Sequence, residues 1–177
     1  MNINELIVKR ESCRDYADKP VDIGLLKKIV EVARLSPSAA NTQPWKFYVT
    51  NDPAKVQRLR EGIQPMNRNV FAPGVQAFIV QTVLLPDEPW KPATPYNHYY
   101  RDFDCGIAAA HVCFAATEFG LSTCMIGWFD DAILKEVCGY GDNEKAIIAY
   151  TVGYANYGED KLRAKNRRAL DEVMTVL

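Results

Sequence analysis

The run Cys105-Gly106-Ile107-Ala108-Ala109-Ala110-His111-Val112-Cys113-Phe114-Ala115-Ala116 is apolar nearly all round. A helix without a polar face has to be covered on several sides, whereas an amphipathic one needs cover on one. Between Asp104 and Phe119 the segment is too short and too weakly hydrophobic to span a bilayer. Its alanines permit close packing of helix on helix. It is therefore either the central helix of the core or part of a large subunit interface, and the second placement makes homodimerisation an expectation.

Helices and strands alternate around this segment. From Asp22 to Ser36 the apolar residues Leu26, Ile29, Val30 and Ala33 recur at helical spacing, with Asp22 placed to cap the start and Pro37 following the end. Trp45 to Thr50 reads as a strand, Pro53 to Glu61 as a polar surface helix with proline in its first turn, and Val75 to Leu85 as a buried strand. Beyond the apolar run, Leu121 to Ile126 reads as a short strand. Asp130 to Cys138 reads as a helix capped by Asp130 and ended by Gly139, and Ala146 to Tyr154 as another strand. The alternation predicts an α+β or α/β sandwich. No repeat or low-complexity linker divides the chain, and 177 residues fit one domain with a substantial core.

Composition removes several classes of function. The net charge of -1 provides no overall field that would draw nucleic acid or an anionic membrane, so any basic site is local. Cys13, Cys105, Cys113, Cys124 and Cys138 are odd in number and contain no Cys-x-x-Cys pair, and His98 and His111 are the only histidines. Neither a zinc site nor a disulfide framework is supported, which favours a reducing cytoplasm. No stretch of about 18 apolar residues and no signal peptide is evident. The phosphate loop of NTPases, the hydrolase nucleophile elbow and the dinucleotide glycine fingerprint are missing.

Three segments carry groups that suit a ligand. Arg10, Ser12 and Arg14 alternate, and in an extended chain residues two apart point to one side, so two guanidinium forks and a hydroxyl would face one ligand. Arginine matches the planar donors that phosphate requires. The same residues also fit a solvated, charged turn. Lys161, Arg163, Lys165 and Arg167 alternate in the C-terminal tail, where an extended chain would align them and a helix would scatter them. Pro37 to Pro44 reads either as a loop that ends the preceding helix or as part of a site.

Taken together, Arg10-Glu11-Ser12-Cys13-Arg14, Pro37-Ser38-Ala39-Ala40-Asn41-Thr42-Gln43-Pro44-Trp45, Gly120 to Asp130 and Lys165-Asn166-Arg167 resemble, in this order, the signature of the flavin-dependent nitroreductase family. The resemblance covers nearly the whole chain and is weakest from Pro86 to Arg101. It implies an α+β fold: an α/β/α sandwich with a central, mostly antiparallel sheet, in an intertwined homodimer. Residues 1–177 would form one domain with a C-terminal extension from about residue 158. It also implies FMN as cofactor and ping-pong transfer of hydride from NADH or NADPH through flavin N5 to an electron-poor acceptor such as a nitroaromatic or quinone. Arg10, Ser12 and Arg14 would contact the FMN phosphate, ribityl chain and pyrimidine edge, and Lys165 and Arg167 would close over the phosphate. Near Met125 and Gly127, the Ile126 N–H would donate to N5, with Gly127 allowing close approach. Pro37, Ser38, Asn41 and Gln43 would reach FMN from the other subunit. Asn67 stands where many relatives have an asparagine near the ring, and fits a surface turn equally well.

No conventional acid or base is required, so none of the side chains is assigned a catalytic proton transfer. His111, within the apolar helix, fits a hydrogen-bonded core residue, and Cys13 and Cys124 fit packing. The long connection from Pro86 to Arg101 suggests that Trp90, Tyr96, His98 and Tyr99 form a substrate-side wall. Alternative functions are a specialised member of the superfamily, either an enone reductase or a dehalogenase, and a flavin-binding protein without turnover. A nucleic-acid or anion-binding module would explain the basic tail without flavin, but no nucleic-acid fold or basic excess is recognisable.

Overall fold

Every residue of the strand Ala77–Leu84 is buried except the last, which is partly so. Such a strand needs cover on both faces. Phe78 and Val80 enter one core and Ala77 and Ile79 the other, following the two-residue alternation of a strand. In the computed structural model, residues 2–85, 96–158 and 161–177 are described, 96–99 by their backbone alone. The elements run α1 (Ile3–Lys9), α2 (Ile23–Ala33), β1 (Trp45–Thr50), α3 (Pro53–Gly62), β2 (Ala77–Leu84), α4 (Tyr96–Glu118), β3 (Ser122–Ile126), α5 (Asp131–Cys138) and β4 (Glu144–Gly153). The strands form one sheet in the order β1-β2-β4-β3 with every pairing antiparallel.

Helices α3 and α5 cover one face through Val56, Leu59 and Leu134, packed with Phe78, Val80 and Ala149. Helices α2 and α4 cover the other through Leu26, Ile29, Ala109 and Val112, packed with Ile79, Tyr150 and Val152. The layers are therefore α/β/α. A bulge in β4 lies where Gln81 and Thr82 of β2 meet Ile148 and Ala146, skipping Ile147. This shifts the alternation by one, so Ala146 joins the core of Ala149.

The helix ends follow local chemistry. Asp52 accepts the Lys55 N–H at 2.9 Å ahead of Pro53, and Asp130 accepts the Ala132 N–H at 3.0 Å. Gly139 ends α5 at φ 71°, a left-handed conformation that costs glycine little.

Helix α4 begins at Tyr96 and so takes up 96–101, which the sequence reading placed in a long connection. Its first turns lack apolar periodicity. Tertiary contact holds them instead, with Arg101 Nη1 donating to the Leu84 carbonyl oxygen at 2.8 Å. Of its two expected placements, the apolar helix occupies the core. Cys105, Ala108, Ala109, Val112 and Ala116 are buried, while Tyr100, Phe103 and Ile107 are exposed. No residue of α1 is buried either. Among the described residues no helix is long and apolar enough to cross a membrane.

Candidate functional site

The sheet ends on β3, and the N-terminal segment docks along its outer edge. Ser12 pairs with Thr123 in an isolated parallel bridge, and the Cys13 N–H donates to the Thr123 carbonyl oxygen at 2.9 Å. Tyr16 then pairs with Ala155. Its hydroxyl lies 2.7 Å from Thr151 Oγ1, which fastens the segment to β4. Side chains on either side of Ser12 are thus held at one rim of the sheet.

The C-terminal tail returns to the same rim. Arg163 Nη2 donates to the Ser12 carbonyl oxygen at 2.8 Å and Lys165 Nζ to the Arg10 carbonyl oxygen at 2.9 Å. Arg10, Ser12 and Arg14 from one end of the chain, and Arg163, Lys165 and Arg167 from the other, consequently line a single pocket of about 340 Å³. Lys161, counted in the same period-two run, is not among the lining residues.

Glu11 is the one acid among the lining residues. Its carboxylate accepts the Tyr157 hydroxyl at 2.9 Å and the Arg163 N–H at 3.1 Å. Arg163 Nε stands 3.5 Å and Lys165 Nζ 4.0 Å from its oxygens. Burial raises the Glu11 pKa, but Tyr157 and Arg163 outweigh it and leave the carboxyl below its usual range. Lys165 moves downward, first through burial and then through the charges of Arg10, Arg167 and Arg163, against the pull of Glu11. Cations this crowded favour an anionic ligand.

The turn after β3 presents a second set of groups. Met125 is 43% exposed and Ile126 is buried. The Thr123 carbonyl oxygen faces the outer edge, where Cys13 donates to it. By the alternation of backbone groups in a strand, Met125 and Gly127 share that edge while Ile126 faces Ala149 of β4. By this alternation the Ile126 N–H, expected as an outward donor, lies on the β4 side and the Met125 amide on the outer edge. A Cβ on Gly127 would meet open space, so the protein itself does not demand glycine there.

Asn67 is exposed in a 3-10 turn, Pro65–Asn67. Met66, Asn67 and nearby Asn69 have φ of 55°, 59° and 50°. Asn69 Nδ2 donates to the Ile63 carbonyl oxygen at 2.6 Å. The Asp130 N–H reaches Gly62 O at 2.7 Å, so this loop abuts the turn after β3.

None of Pro37, Ser38, Asn41 and Gln43 lines the cationic pocket. Their loop rests on α4, where the buried Asp104 carboxylate accepts the Ala39 N–H at 3.1 and 3.2 Å. Ser38 Oγ accepts the Gln43 N–H at 3.0 Å. Gln43 Nε2 lies 3.2 Å from Asn41 Oδ1. Ala40, Asn41 and Gln43 have φ of 50°, 55° and 47°, and such left-handed residues cluster at ligand sites because the surrounding structure must hold them.

His111 Nδ1 lies 2.8 Å from the Ile107 carbonyl oxygen one turn earlier, a helix contact. Cys13 and Cys124 are buried free thiols, and burial pushes both upward in pKa. Trp90 and the side chains of Tyr96, His98 and Tyr99 lie outside the described residues. Sequence reasoning passed over Glu11, Tyr157 and Asn69. Glu11 has the opposite parity to Arg10, Ser12 and Arg14, and its partners lie far along the chain.

The nitroreductase family model matches residues 7–154. An oxygen-insensitive NADPH nitroreductase of Helicobacter acinonychis (strain Sheeba) is 31% identical over 173 residues, which cover 81% of this chain and 82% of that protein. An iodotyrosine deiodinase of Nematostella vectensis is 25% identical over 191 residues, covering 95% of this chain and 72% of its own. The crystal structure of an FMN and NADPH-dependent nitroreductase from Sphigopyxis sp. strain HMH has the same fold, with a TM-score of 0.78 across 100% of this chain and 99% of that one at 17% identity. With a family match across most of its length and an α/β/α sandwich that brings its N-terminal and C-terminal signature segments to one rim of the sheet, this chain belongs to the nitroreductase family of oxidoreductases.

Proposed function

We propose that the chain binds FMN in the cationic pocket and uses NADH or NADPH to reduce an electron-poor small molecule such as a nitroaromatic or quinone. The convergence of Arg10, Ser12, Arg14, Lys165 and Arg167 on one pocket carries this reading. The donor set fits a phosphate monoester: guanidinium forks and an ammonium offset its charge, and Ser12 supplies a neutral donor. Membership of the family and the FMN and NADPH named for the Sphigopyxis enzyme of this fold support the choice of cofactor.

When bound, FMN would supply the redox chemistry, taking hydride from the nicotinamide at N5 and giving electrons to the acceptor. The chain's own residues bind and orient. Arg10, Arg14, Lys165 and Arg167 would hold the phosphate end. The edge amides of Met125 and Gly127 would donate toward the ring over the apolar Ile126, with Asn67 on the neighbouring loop. Pro37, Ser38, Asn41 and Gln43 would serve the site of a second copy, which makes the functional unit a homodimer. Residues 1–177 would act as one domain whose extension, from about residue 158, closes the phosphate end. The free cysteines suit a reducing cytoplasm.

Equilibrium dialysis against FMN and riboflavin tests the assignment. Retention of FMN with much weaker retention of riboflavin supports a phosphate grip, and equal retention of the two contradicts it. The likeness to iodotyrosine deiodinase favours a second reading, reductive dehalogenation of an aromatic substrate. Turnover of halogenated phenols in preference to quinones and nitroaromatics would select it.

A further inference from the structure

Glu11 puts a negative charge into the wall of a pocket whose other charged groups are cations. By Coulomb's law alone it opposes an anionic ligand, and removing it would tighten binding. Its contacts show a different effect. The carboxylate accepts from Tyr157 at 2.9 Å and from the Arg163 backbone at 3.1 Å, and it pairs with the Arg163 guanidinium at 3.5 Å. Lys165 Nζ stands 4.0 Å away. The Glu11 side chain is only 10% exposed, whereas that of Arg163 is 60% exposed. A largely buried acid therefore holds the more exposed segment. The remaining ties from this part of the tail, Arg163 to Ser12 O and Lys165 to Arg10 O, end on the two residues flanking Glu11.

We propose that Glu11 is a positioning residue for the anion site: it straps the segment Arg163 to Arg167 against the N-terminal rim and thereby assembles the cations that hold the ligand. The inference rests on reading the pocket as an FMN phosphate site. The repulsion Glu11 exerts on the phosphate is smaller than the loss incurred when Arg163, Lys165 and Arg167 are no longer gathered there. An ordinary phosphate site would gain from the loss of its one acid, so the sign of the effect separates the two cases.

The test compares wild type with Glu11→Gln, which keeps the shape and a hydrogen-bond acceptor but loses the charge. Charge-assisted hydrogen bonds are about twice as strong as neutral ones, so FMN affinity should fall roughly tenfold in the variant. Trypsin should cut after Arg163 and Lys165 several-fold faster in the ligand-free variant, at an unchanged melting temperature for the rest of the fold. In an Arg163→Ala background, where the strap is already loosened, the cost of Glu11→Gln should shrink or change sign. Tighter FMN binding by Glu11→Gln, unchanged cleavage, or strictly additive effects of the two substitutions would each overturn the proposal. A wild-type protein that takes up no FMN defeats the cofactor reading instead, and the cleavage comparison then decides the strap by itself.

Discussion

The Lys165 ammonium donates to the Arg10 carbonyl oxygen at 2.9 Å, a hydrogen bond between positions 155 residues apart. It fixes the end of the chain beside its beginning and makes one pocket out of two motifs. Like Arg163, Ala164 and Asn166, Arg14 and Arg167 are exposed in that pocket. Each can be shortened without opening the core. Arg14→Ala and Arg167→Ala are each expected to weaken FMN binding about 10- to 100-fold, the range for losing a hydrogen bond to a charged group. Flavin fluorescence titration measures this, with thermal melts showing that the fold is retained. Unchanged affinity in both variants would remove the phosphate grip.

The docking of the tail should depend on pH through Glu11. Tyr157, Arg163 and Lys165 face it from the C-terminal side, and Arg10 and Lys9 flank it along its own segment. Glu11 is the one carboxyl among these groups. Its folded pKa lies below the ordinary 4.5. A depressed carboxyl contributes stability above its unfolded pKa and loses it as the pH falls through the folded one. Protection of the Arg163 amide from hydrogen exchange, corrected for intrinsic rates, should therefore be constant near neutrality and collapse at acid pH. The ligand-free protein is the right sample because a phosphate monoester titrates near pH 6 itself. In Glu11→Gln the protection should be low and independent of pH.

Gly62 sits where α3 meets α5. A Cβ there would lie 2.8 Å from Ile133 Cγ2 and 3.1 Å from Leu134 Cδ1. Ile133 is branched at the clashing position and has little freedom to yield. Gly62→Ala should destabilise the protein by about 1–3 kcal/mol, the usual cost of overpacking. Because the Gly62 carbonyl oxygen also accepts the Asp130 N–H at 2.7 Å, the shift should reach the turn after β3. Urea unfolding measures the first effect. Weaker FMN binding in the folded variant would report the second.

How much could be read in advance differs between fold and site. Asp22, Pro53, Asp130 and Gly139 announced their helix ends because such signals are local chemistry. The strand Trp45–Thr50 was legible because its span is bounded by a proline on one side and Asn51-Asp52 on the other. The start of α4 was not, since its first turns depend on contacts such as Arg101 with Leu84. The β4 bulge at Ile147 was hidden for the same reason, as register belongs to a pair of strands. In the site, period two pointed to Arg10, Ser12 and Arg14, and the family resemblance linked them to Lys165 and Arg167. Glu11 and Tyr157 could be joined only by the fold. So could the left-handed backbone at Ala40, which has no signature in an alanine.

The loop of Ser38, Asn41 and Gln43 stands on α4 beside exposed Phe103 and Ile107 and lines no part of the cationic pocket. If it completes the site of a second copy, the protein should scatter light as two chains of 20.0 kDa each. Ile107→Asp, on the exposed side of α4, should then shift the mass toward one chain and reduce FMN uptake with it. A stable monomer that keeps tightly bound FMN would contradict a shared site.

The most direct measurement is the visible absorption spectrum of the purified protein, before and after NADH or NADPH is added without oxygen. Yellow flavin bands that bleach with either nucleotide, and return when a quinone or nitroaromatic is supplied, are the expected result. A colourless protein that takes up no added FMN, or bound flavin that neither nucleotide reduces, would contradict the proposed function.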